Sequence, residues 1–340
     1  IFFHLLKRSF KVLGDDNYML KYLAKRMGLM VITFVIGVFL YFTFLRLIPD
    51  NQEPPIGSDN TYYEELVKKE GWDKPIPVQF AYWVRNIFKT GSFGYSKDYA
   101  RDVSAVYFGR IPATVKVNIV PYILSIPIAI SVGVLAALYK NRAIDHIISV
   151  GIIVFISVPT FVTYVVAQYI FYYKLGWAPD YKIAAPMEIA EKGFWYGVST
   201  YIMPITLITI VSIPGSARTV RAELTEQLTQ DYILLAQSKG LTRTQATFRH
   251  ALKNAIAPFL PGMIIGVIGV ISGSVIVEQI FRVNGTGGLF LAAFNSRDFA
   301  MVMLGTTFSQ FVGLIASILS DISLTFFDPR VRVGSGKIAS

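Results

Sequence analysis

The sequence contains no cysteine, only three histidines and no nucleotide-binding loop. Without cysteine the chain cannot form a disulfide or a thiolate metal site. The histidines, His4, His146 and His250, lie far apart and lack ligand partners at metal-binding spacing. Because the pattern Gly-x-x-x-x-Gly-Lys-Ser/Thr is missing, the chain is not expected to bind nucleotide phosphates by that route. These absences leave no residue to assign to catalysis, to a metal or to a cofactor.

Charged side chains are also scarce. They make up 16% of the 340 residues, whereas soluble domains carry about 25%. Hydrophobic residues reach 53%, and several apolar runs have the roughly 20 residues needed to cross a bilayer. This composition predicts an all-α polytopic membrane protein surrounded by lipid. The net charge of +10 does not indicate a nucleic-acid partner, because basic residues beside membrane spans are the ordinary topology signal.

The apolar runs divide the chain into five regions. A basic amphipathic segment, 1–28, precedes the first transmembrane helix, 29–48. An external region, 49–112, carries tryptophans and prolines and is expected to be ordered against the membrane. The other five transmembrane helices lie within 113–326, and a tail, 327–340, ends the chain. Six transmembrane helices place both termini on one side.

Prolines and glycines interrupt several of these spans. A proline in a membrane helix removes a backbone hydrogen bond, so the internal prolines are candidates for bends that line a cavity or for plain structural kinks. They are Pro121, Pro127, Pro159, Pro204 and Pro214. The fifth span contains small residues at spacings that permit close helix contact. These glycines are Gly262, Gly266, Gly269 and Gly273.

The distribution of charge decides which side faces the cytoplasm. The termini, the segment after the second span and the segment between the fourth and fifth spans together carry 17 basic and 8 acidic residues, a net charge of +9. The opposite side has a net charge of −1. Since cytoplasmic loops are enriched in lysine and arginine, both termini are predicted to be cytoplasmic.

The segment between the fourth and fifth spans predicts two short helices. Asp231 is a candidate N-cap, and Gly240 is a candidate left-handed residue at the end of the first helix. Thr242 and Gln245 form a capping-box pattern at the start of the second. A capped polar helix between membrane spans is typical of a docking surface, and the alternative is a loop helix packed on its own membrane domain.

Two carboxylates lie within or beside the spans, where a charge is costly. Glu278, near the external end of the fifth span, is expected to form a local ion pair with Arg282 or to serve a functional role. Asp321, near the cytoplasmic end of the sixth span, is expected to cap a helix or to pair with an adjacent one. Neither belongs to a series of charges, which argues against a proton relay.

Five stretches together resemble a known family. They read GWDKPIPVQF at 71–80, GSFGYS at 91–96, GSVIVEQIF at 273–281 and DPRVR at 328–332, with the loop segment 231–258 between the second and third of these. In this order they are similar to the first of the two permease subunits of binding-protein-dependent ABC importers of the oligopeptide, dipeptide and nickel class.

The resemblance implies that the first loop helix, 231–240, is a coupling helix that sits in a groove of an ATP-binding subunit. The residues expected to face that subunit are Asp231, Tyr232, Leu235, Ala236, Lys239, Gly240 and Arg249. The family's Glu-Ala-Ala pattern is relaxed here, since its positions hold Leu234, Leu235 and Ala236. Small Ala236 and Gly240 are expected to let the partner approach, with Tyr232 and Leu235 as an apolar anchor.

The resemblance also implies partners and a substrate. The expected partners are a homologous second permease subunit, an extracellular substrate-binding protein and two ATP-binding subunits, which would hold the ATP and Mg, so this chain is not expected to be an enzyme by itself. The expected location is the bacterial plasma (inner) membrane, and the expected substrate is an oligopeptide or dipeptide. A permease for nickel chelates or another small solute has the same architecture and stays open. An ion-coupled transporter or channel is the alternative of another class.

Overall fold

The computed structural model describes residues 16–48 and 73–327, with side chains for 24–48 and 73–323. The first half of the N-terminal segment, the external residues 49–72 and the motif at 328–332 lie outside the described residues. The described chain is helical apart from loops and one two-stranded antiparallel hairpin. Its elements are α1 (Asp16–Leu47), α2 (Ile76–Thr90), β1 (Tyr95–Ser96), β2 (Arg101–Asp102), α3 (Val103–Leu138), α4 (Ala143–Ser157), α5 (Thr160–Gln168), α6 (Pro186–Lys192), α7 (Phe194–Gln227), α8 (Asp231–Ser238), α9 (Arg243–Ala246), α10 (Leu252–Ile256), α11 (Leu260–Ser272), α12 (Val275–Ile280), α13 (Thr286–Asn295) and α14 (Phe299–Phe327).

The all-helical class is confirmed, and the described residues contain five candidate membrane spans, or six if a bent pair of helices is counted as one span. Five are single helical stretches of sufficient length and apolarity: Ala24–Leu47, Val103–Leu138, Phe194–Gln227, Arg243–Ile280 and Phe299–Ser323. The sixth is the pair α4 and α5, with a π-helical extension, Tyr169–Lys174, that continues α5. Helices α1 and α3 begin earlier than the predicted spans, and α7 extends to Gln227.

The third span is broken next to Pro159, one of the prolines that the sequence offers as a candidate bend. Its two halves, α4 and α5, meet at an angle of 96°. Val158 is extended, with φ −86° and ψ 126°, and Pro159 begins the second half. A proline disfavours the helical conformation of the residue before it, so α4 ends there. The prolines within α3 and α7 leave those helices continuous.

Helices α3 and α7 form the central packed pair. A methyl group added at Gly133 of α3 would lie 2.8 Å from the Ala217 carbonyl oxygen and 2.8 Å from the Val220 Cβ on α7. Ala217, Val220 and Leu224 are fully buried, and they belong to the half of α7 that the sequence assigned to a polar loop. The helix therefore continues past the apolar run because its inner half is packed against α3.

The predicted close contact of the fifth span holds at Gly266. An added Cβ there would lie 2.8 Å from the Tyr122 ring on α3, whereas none of the described atoms lies within 4 Å of the Cβ positions of Gly262 and Gly269. Gly273 instead has a left-handed backbone, φ +77°, and ends α11.

Helices α1 and α14 pack together along their length. Val38 and Phe42 of α1 share a buried cluster with Met301 and Leu304 of α14. At the predicted cytoplasmic end, Arg26 and Asp321 form an ion pair, which confirms that Asp321 pairs with an adjacent helix. Near the opposite end of α1, the Phe80 ring on α2 contacts Phe42 edge to face, and the Trp83 ring lies tilted against Phe42.

A reciprocal pair of Ser-x-Asp sequences ties the external hairpin to the start of α14. Ser96 donates to Asp298, and Ser296 donates to Asp98. Burial raises the pKa of Asp298 above that of a free aspartate, and its hydrogen bonds from Ser96 and the Met301 N–H partly offset this rise. This Ser-Asp clasp joins the starts of the second and sixth spans, since the hairpin leads directly into α3.

Replacement of Gly133 with alanine is expected to destabilise the fold. The new methyl group would overlap backbone at 2.8 Å, so α3 and α7 would have to separate, at a cost of about 2 kcal/mol. Thermal unfolding of the detergent-purified protein would measure the loss. Gly151→Ala on α4 is the matched control, because open space surrounds its Cβ position. Equal melting temperatures for the two variants would contradict the close approach.

Candidate functional site

Helix α8 is attached firmly to the membrane helices through one face. Ile233 and Ala236 are 1% and 8% exposed, and they join a buried cluster with Val134 of α3 and with Val220 and Leu224 of α7. The cluster also contains Ala246, Ala251 and Ala255 from the segment that follows. A movement of α8 is therefore coupled by packing to the inner ends of both central helices.

The ends of α8 differ from the sequence prediction in one respect. The N-cap is Gln230, which makes no side-chain capping hydrogen bond, and Asp231 is the first helical residue. A carboxylate in the first turn still stabilises the helix through its dipole. At the other end, the Gly240 N–H donates to the Gln237 carbonyl at 2.9 Å, and the φ of Gly240, +91°, confirms the left-handed ending.

The opposite face of α8 is exposed and partly apolar. Its exposed residues are Asp231, Leu234, Leu235 and Ser238. These positions follow the spacing i, i+3, i+4, i+7, which places them on one side of a helix. Leu234 and Leu235 are each 57% exposed, and Phe248, farther along the loop, is 55% exposed. Three large apolar side chains therefore face outward on the side of the protein where basic residues predominate.

Two of the predicted contact residues face their own chain. Ala236 lies in the buried cluster, so its small side chain does not open the outer face of α8 to a partner. The Tyr232 hydroxyl donates to Gln227 at 2.7 Å and accepts from Asn254 at 3.1 Å, which holds the ring within this protein. Leu235, Asp231, Lys239, Gly240 and Arg249 are exposed as predicted for a docking face.

Leu234 and Phe248 were not assigned to the contact set from the sequence. Both faces of α8 carry apolar side chains, so periodicity alone does not say which face is packed inward. The sequence departs from the family pattern at Leu234, and the exposure that only the structure shows makes this residue a candidate for a contact.

The predicted capping box after α8 is confirmed. The Gln245 N–H donates to the Thr242 hydroxyl at 3.2 Å, and the Thr242 N–H donates to the Gln245 side chain at 3.0 Å. The chain then passes through a π-helical turn, Thr247–Ala251, which carries Phe248 and Arg249, before α10 returns toward the membrane. The capping box fixes where this return begins.

Glu278 lies in a buried hydrogen-bonded site rather than in an ion pair with Arg282. Its side chain is 1% exposed. One carboxylate oxygen accepts from the Thr114 hydroxyl at 2.9 Å, and the other accepts from the Gly288 N–H at 2.7 Å. The expected partnership with Arg282 is wrong, because the chain breaks between α11 and α12 and turns the carboxylate toward α3 and α13.

Glycines enclose this carboxylate. A Cβ added to Gly285 would lie 2.5 Å from a Glu278 oxygen, and one added to Gly287 would lie 2.9 Å from the Val275 nitrogen. Thr286 completes the site, since its N–H donates to the Thr114 hydroxyl at 2.8 Å. Glu278 thereby joins α3, α12 and α13, which explains the glycine-rich sequence on both sides of it.

An open groove lies where the third span is broken. Its volume is about 520 Å³, within the range of small-molecule sites. The break contributes Val158 and Thr160, and α7 contributes a row of small and hydroxyl-bearing residues. The α7 residues are Ser212, Gly215, Ser216 and Thr219. Pro258 and Gly262 line the third side.

One of the internal prolines shapes this groove, and the other four are not among its lining residues. Pro121, Pro204 and Pro214 are buried between helices and do not line it. Pro127 is exposed elsewhere on α3. Pro159 lies between two lining residues, Val158 and Thr160, and it shapes the groove by breaking the span.

Comparison with known families agrees with this arrangement. Residues 129–333 match the family described as binding-protein-dependent transport system inner membrane component. Residues 19–118 match the N-terminal region of membrane components of such systems. The chain belongs to the family of binding-protein-dependent transport system inner membrane components, and it is a multi-pass membrane protein.

Individual relatives are similar over almost the whole chain. A dipeptide transport system permease protein of Lactococcus lactis is 30% identical over 318 residues, which cover 93% of this chain and 100% of the relative. An oligopeptide transport system permease protein of Haemophilus influenzae is 28% identical over 321 residues, with 92% and 100% covered. An oligopeptide transport system permease protein of Bacillus subtilis is 28% identical over the same coverage.

Replacement of Gly285 with alanine is expected to disrupt the Glu278 site. The new methyl group would lie 2.5 Å from a carboxylate oxygen that has no room to retreat, and the loss of its hydrogen bonds would cost about 2 kcal/mol. Gly288→Ala is the matched control, because the nearest atoms lie 3.7 Å from its Cβ position. In thermal unfolding, the Gly285→Ala protein should have a lower melting temperature than the Gly288→Ala protein. A Gly285 variant as stable as the Gly288 variant would show that the site tolerates displacement.

Proposed function

We propose that this chain is a permease subunit of an ATP-driven importer of oligopeptides or dipeptides, and that it forms half of the translocation pathway. The observation that carries the proposal is the exposed apolar face of α8 on a helix whose other face is locked to the membrane helices. The names of the relatives support a peptide as the substrate.

The outward face of α8 is the proposed contact with an ATP-binding subunit. Leu234 and Leu235 are large, exposed and adjacent, and apolar side chains of this kind are stabilised when a partner covers them. Asp231, Lys239 and Gly240 border them, and Arg249 supplies a cation from the return segment. In this proposal ATP and Mg are bound on the partner, and this chain receives only the movement.

The groove at the break in the third span is the proposed part of the pathway on this subunit. Its hydroxyl groups and exposed backbone near Pro159 offer polar contacts within otherwise apolar spans. A homologous second permease subunit would close the open side. An extracellular binding protein would deliver the peptide, and both termini would lie in the cytoplasm, as the charge distribution indicates.

A paired substitution on α8 tests the contact with the ATPase. Leu235→Arg places a charge on the exposed face, so the protein should fold while its affinity for the ATP-binding subunits falls about 30-fold. Ala236→Arg places the same charge in the buried cluster and should lower the free energy of unfolding by about 3 kcal/mol. Copurification and thermal unfolding measure the two effects.

The assignment of α8 as the docking helix requires that Leu235→Arg weakens subunit binding and that Ala236→Arg weakens the fold. If the Leu235→Arg protein keeps both its melting temperature and its ATP-binding subunits, α8 is not the docking helix. Met187→Arg is a further control, because Met187 is 85% exposed on α6, outside the candidate spans and away from α8.

Uptake into proteoliposomes tests the substrate. The complex of both permease subunits, the ATP-binding subunits and the binding protein should import a labelled dipeptide or oligopeptide only when ATP is present. This chain alone should transport nothing, whereas an ion-coupled transporter or channel would act alone. ATP-driven uptake of a nickel chelate with no peptide uptake would overturn the peptide assignment and leave the importer assignment in place.

A further inference from the structure

An ion pair between a buried carboxylate and a partly exposed guanidinium joins the ends of α4 and α7 that are predicted to be cytoplasmic. The Arg221 Nε donates to one oxygen of Asp145 at 2.6 Å, and its Nη2 donates to the other at 2.9 Å. The Asp145 side chain is 2% exposed. It also accepts from the Asn141 N–H at 2.9 Å and from the Ser149 hydroxyl at 3.2 Å. Two of these four hydrogen bonds come from α7, and the other two come from residues around the start of α4.

The two residues of the ion pair lie on helices that lead to different parts of the protein. Arg221 lies six residues before the end of α7, about 9 Å along the helix axis, and only three residues separate α7 from α8. Asp145 lies in the first turn of α4, the rigid half of the broken span that ends at the groove. The pair therefore connects the segment that carries the exposed α8 face to the segment whose far end shapes the groove.

Few other contacts could replace this connection. One face of α4 packs on α3 and α7 through Ile152, with Ile148 beside it. The rest of α4 is open, since Ile147, Val150 and Ile153 are 59–72% exposed. Within residues 24–48 and 73–323, the Asp145–Arg221 pair is the one salt bridge between α4 and α7. A bidentate guanidinium–carboxylate contact fixes orientation as well as distance.

We propose that the Asp145–Arg221 pair transmits the movement of α8 and α7 to the broken third span, so that ATP-driven motion at the loop changes the groove. This inference rests on the proposed function. Arg221 and Asp145 are positioning residues in it, and they contact neither the substrate nor the ATP-binding subunits. The pair acts as a rigid link, because rotation of α7 moves the carboxylate and the whole first half of the span with it.

A double substitution distinguishes a link from a purely structural ion pair. Arg221→Gln leaves Asp145 buried without its cation, so it lowers stability whether or not the pair transmits movement. In Asp145→Asn with Arg221→Met, the asparagine oxygen can still accept from Asn141, and no charge is left buried. This double variant should regain thermal stability, because replacing a buried pair with neutral groups of similar size is often neutral.

The decisive measurement is the number of peptides imported per ATP hydrolysed by the reconstituted complex. We expect the double variant to copurify with the ATP-binding subunits and to hydrolyse ATP, while the ratio falls about tenfold. Arg221→Lys, which keeps the charge but loses the bidentate geometry, should give an intermediate ratio. A wild-type ratio in the double variant would overturn the proposal.

Distance measurements provide a second readout. Since the chain has no cysteine, spin labels can be attached at Ile147→Cys on α4 and Ile322→Cys on α14, both exposed. In the complex, nucleotide binding should change their separation, and the double variant should lose that change. If the nucleotide-dependent change in separation persists in the double variant, the proposed link is wrong. If the unsubstituted complex imports no peptide with ATP, the proposed function itself fails instead.

Discussion

The close approach of α3 and α7 is the constraint on which the rest of the structure depends. Gly133 allows it, because any side chain at this position would strike the backbone of α7 at Ala217. The contact keeps α7 helical through a polar segment that would otherwise leave the membrane as a loop. It thereby places Arg221 against Asp145 and brings α8 onto the inner ends of both helices.

The two sides of the protein are stabilised in different ways. On the side predicted to be external, Glu278 and the Ser-Asp clasp connect α3, α12, α13 and α14 through buried hydrogen bonds. On the opposite side, α8 is held by an apolar cluster, and α4 is held by one ion pair and a single packed face. Directional polar contacts resist sliding more than apolar contacts do, so we expect the inner half to accommodate movement more readily than the external half.

Helix α8 has one face packed on its own chain and one face that is exposed. Ile233 and Ala236 attach it to its own chain, and Leu234 and Leu235 leave an apolar surface for another. The apolar residues on the two faces have different roles. A helix of eight residues has little stability by itself, so one face must pack on the chain before the other face can bind a partner. The partner surface thus depends on the same cluster that carries movement into the membrane helices.

The sequence by itself determined the class of protein, the left-handed ending at Gly240, the Thr242–Gln245 capping box and the family. Hydrophobic length, turn chemistry and local motifs are properties of neighbouring residues, so they can be read without the fold. It could not reveal that Ala236 points inward or that Glu278 turns away from Arg282. These features depend on partners 20 to more than 100 residues away, such as Thr114 for Glu278 and Val134 for Ala236. Only the tertiary structure brings those partners together, since packing selects one of two apolar faces that periodicity leaves equivalent.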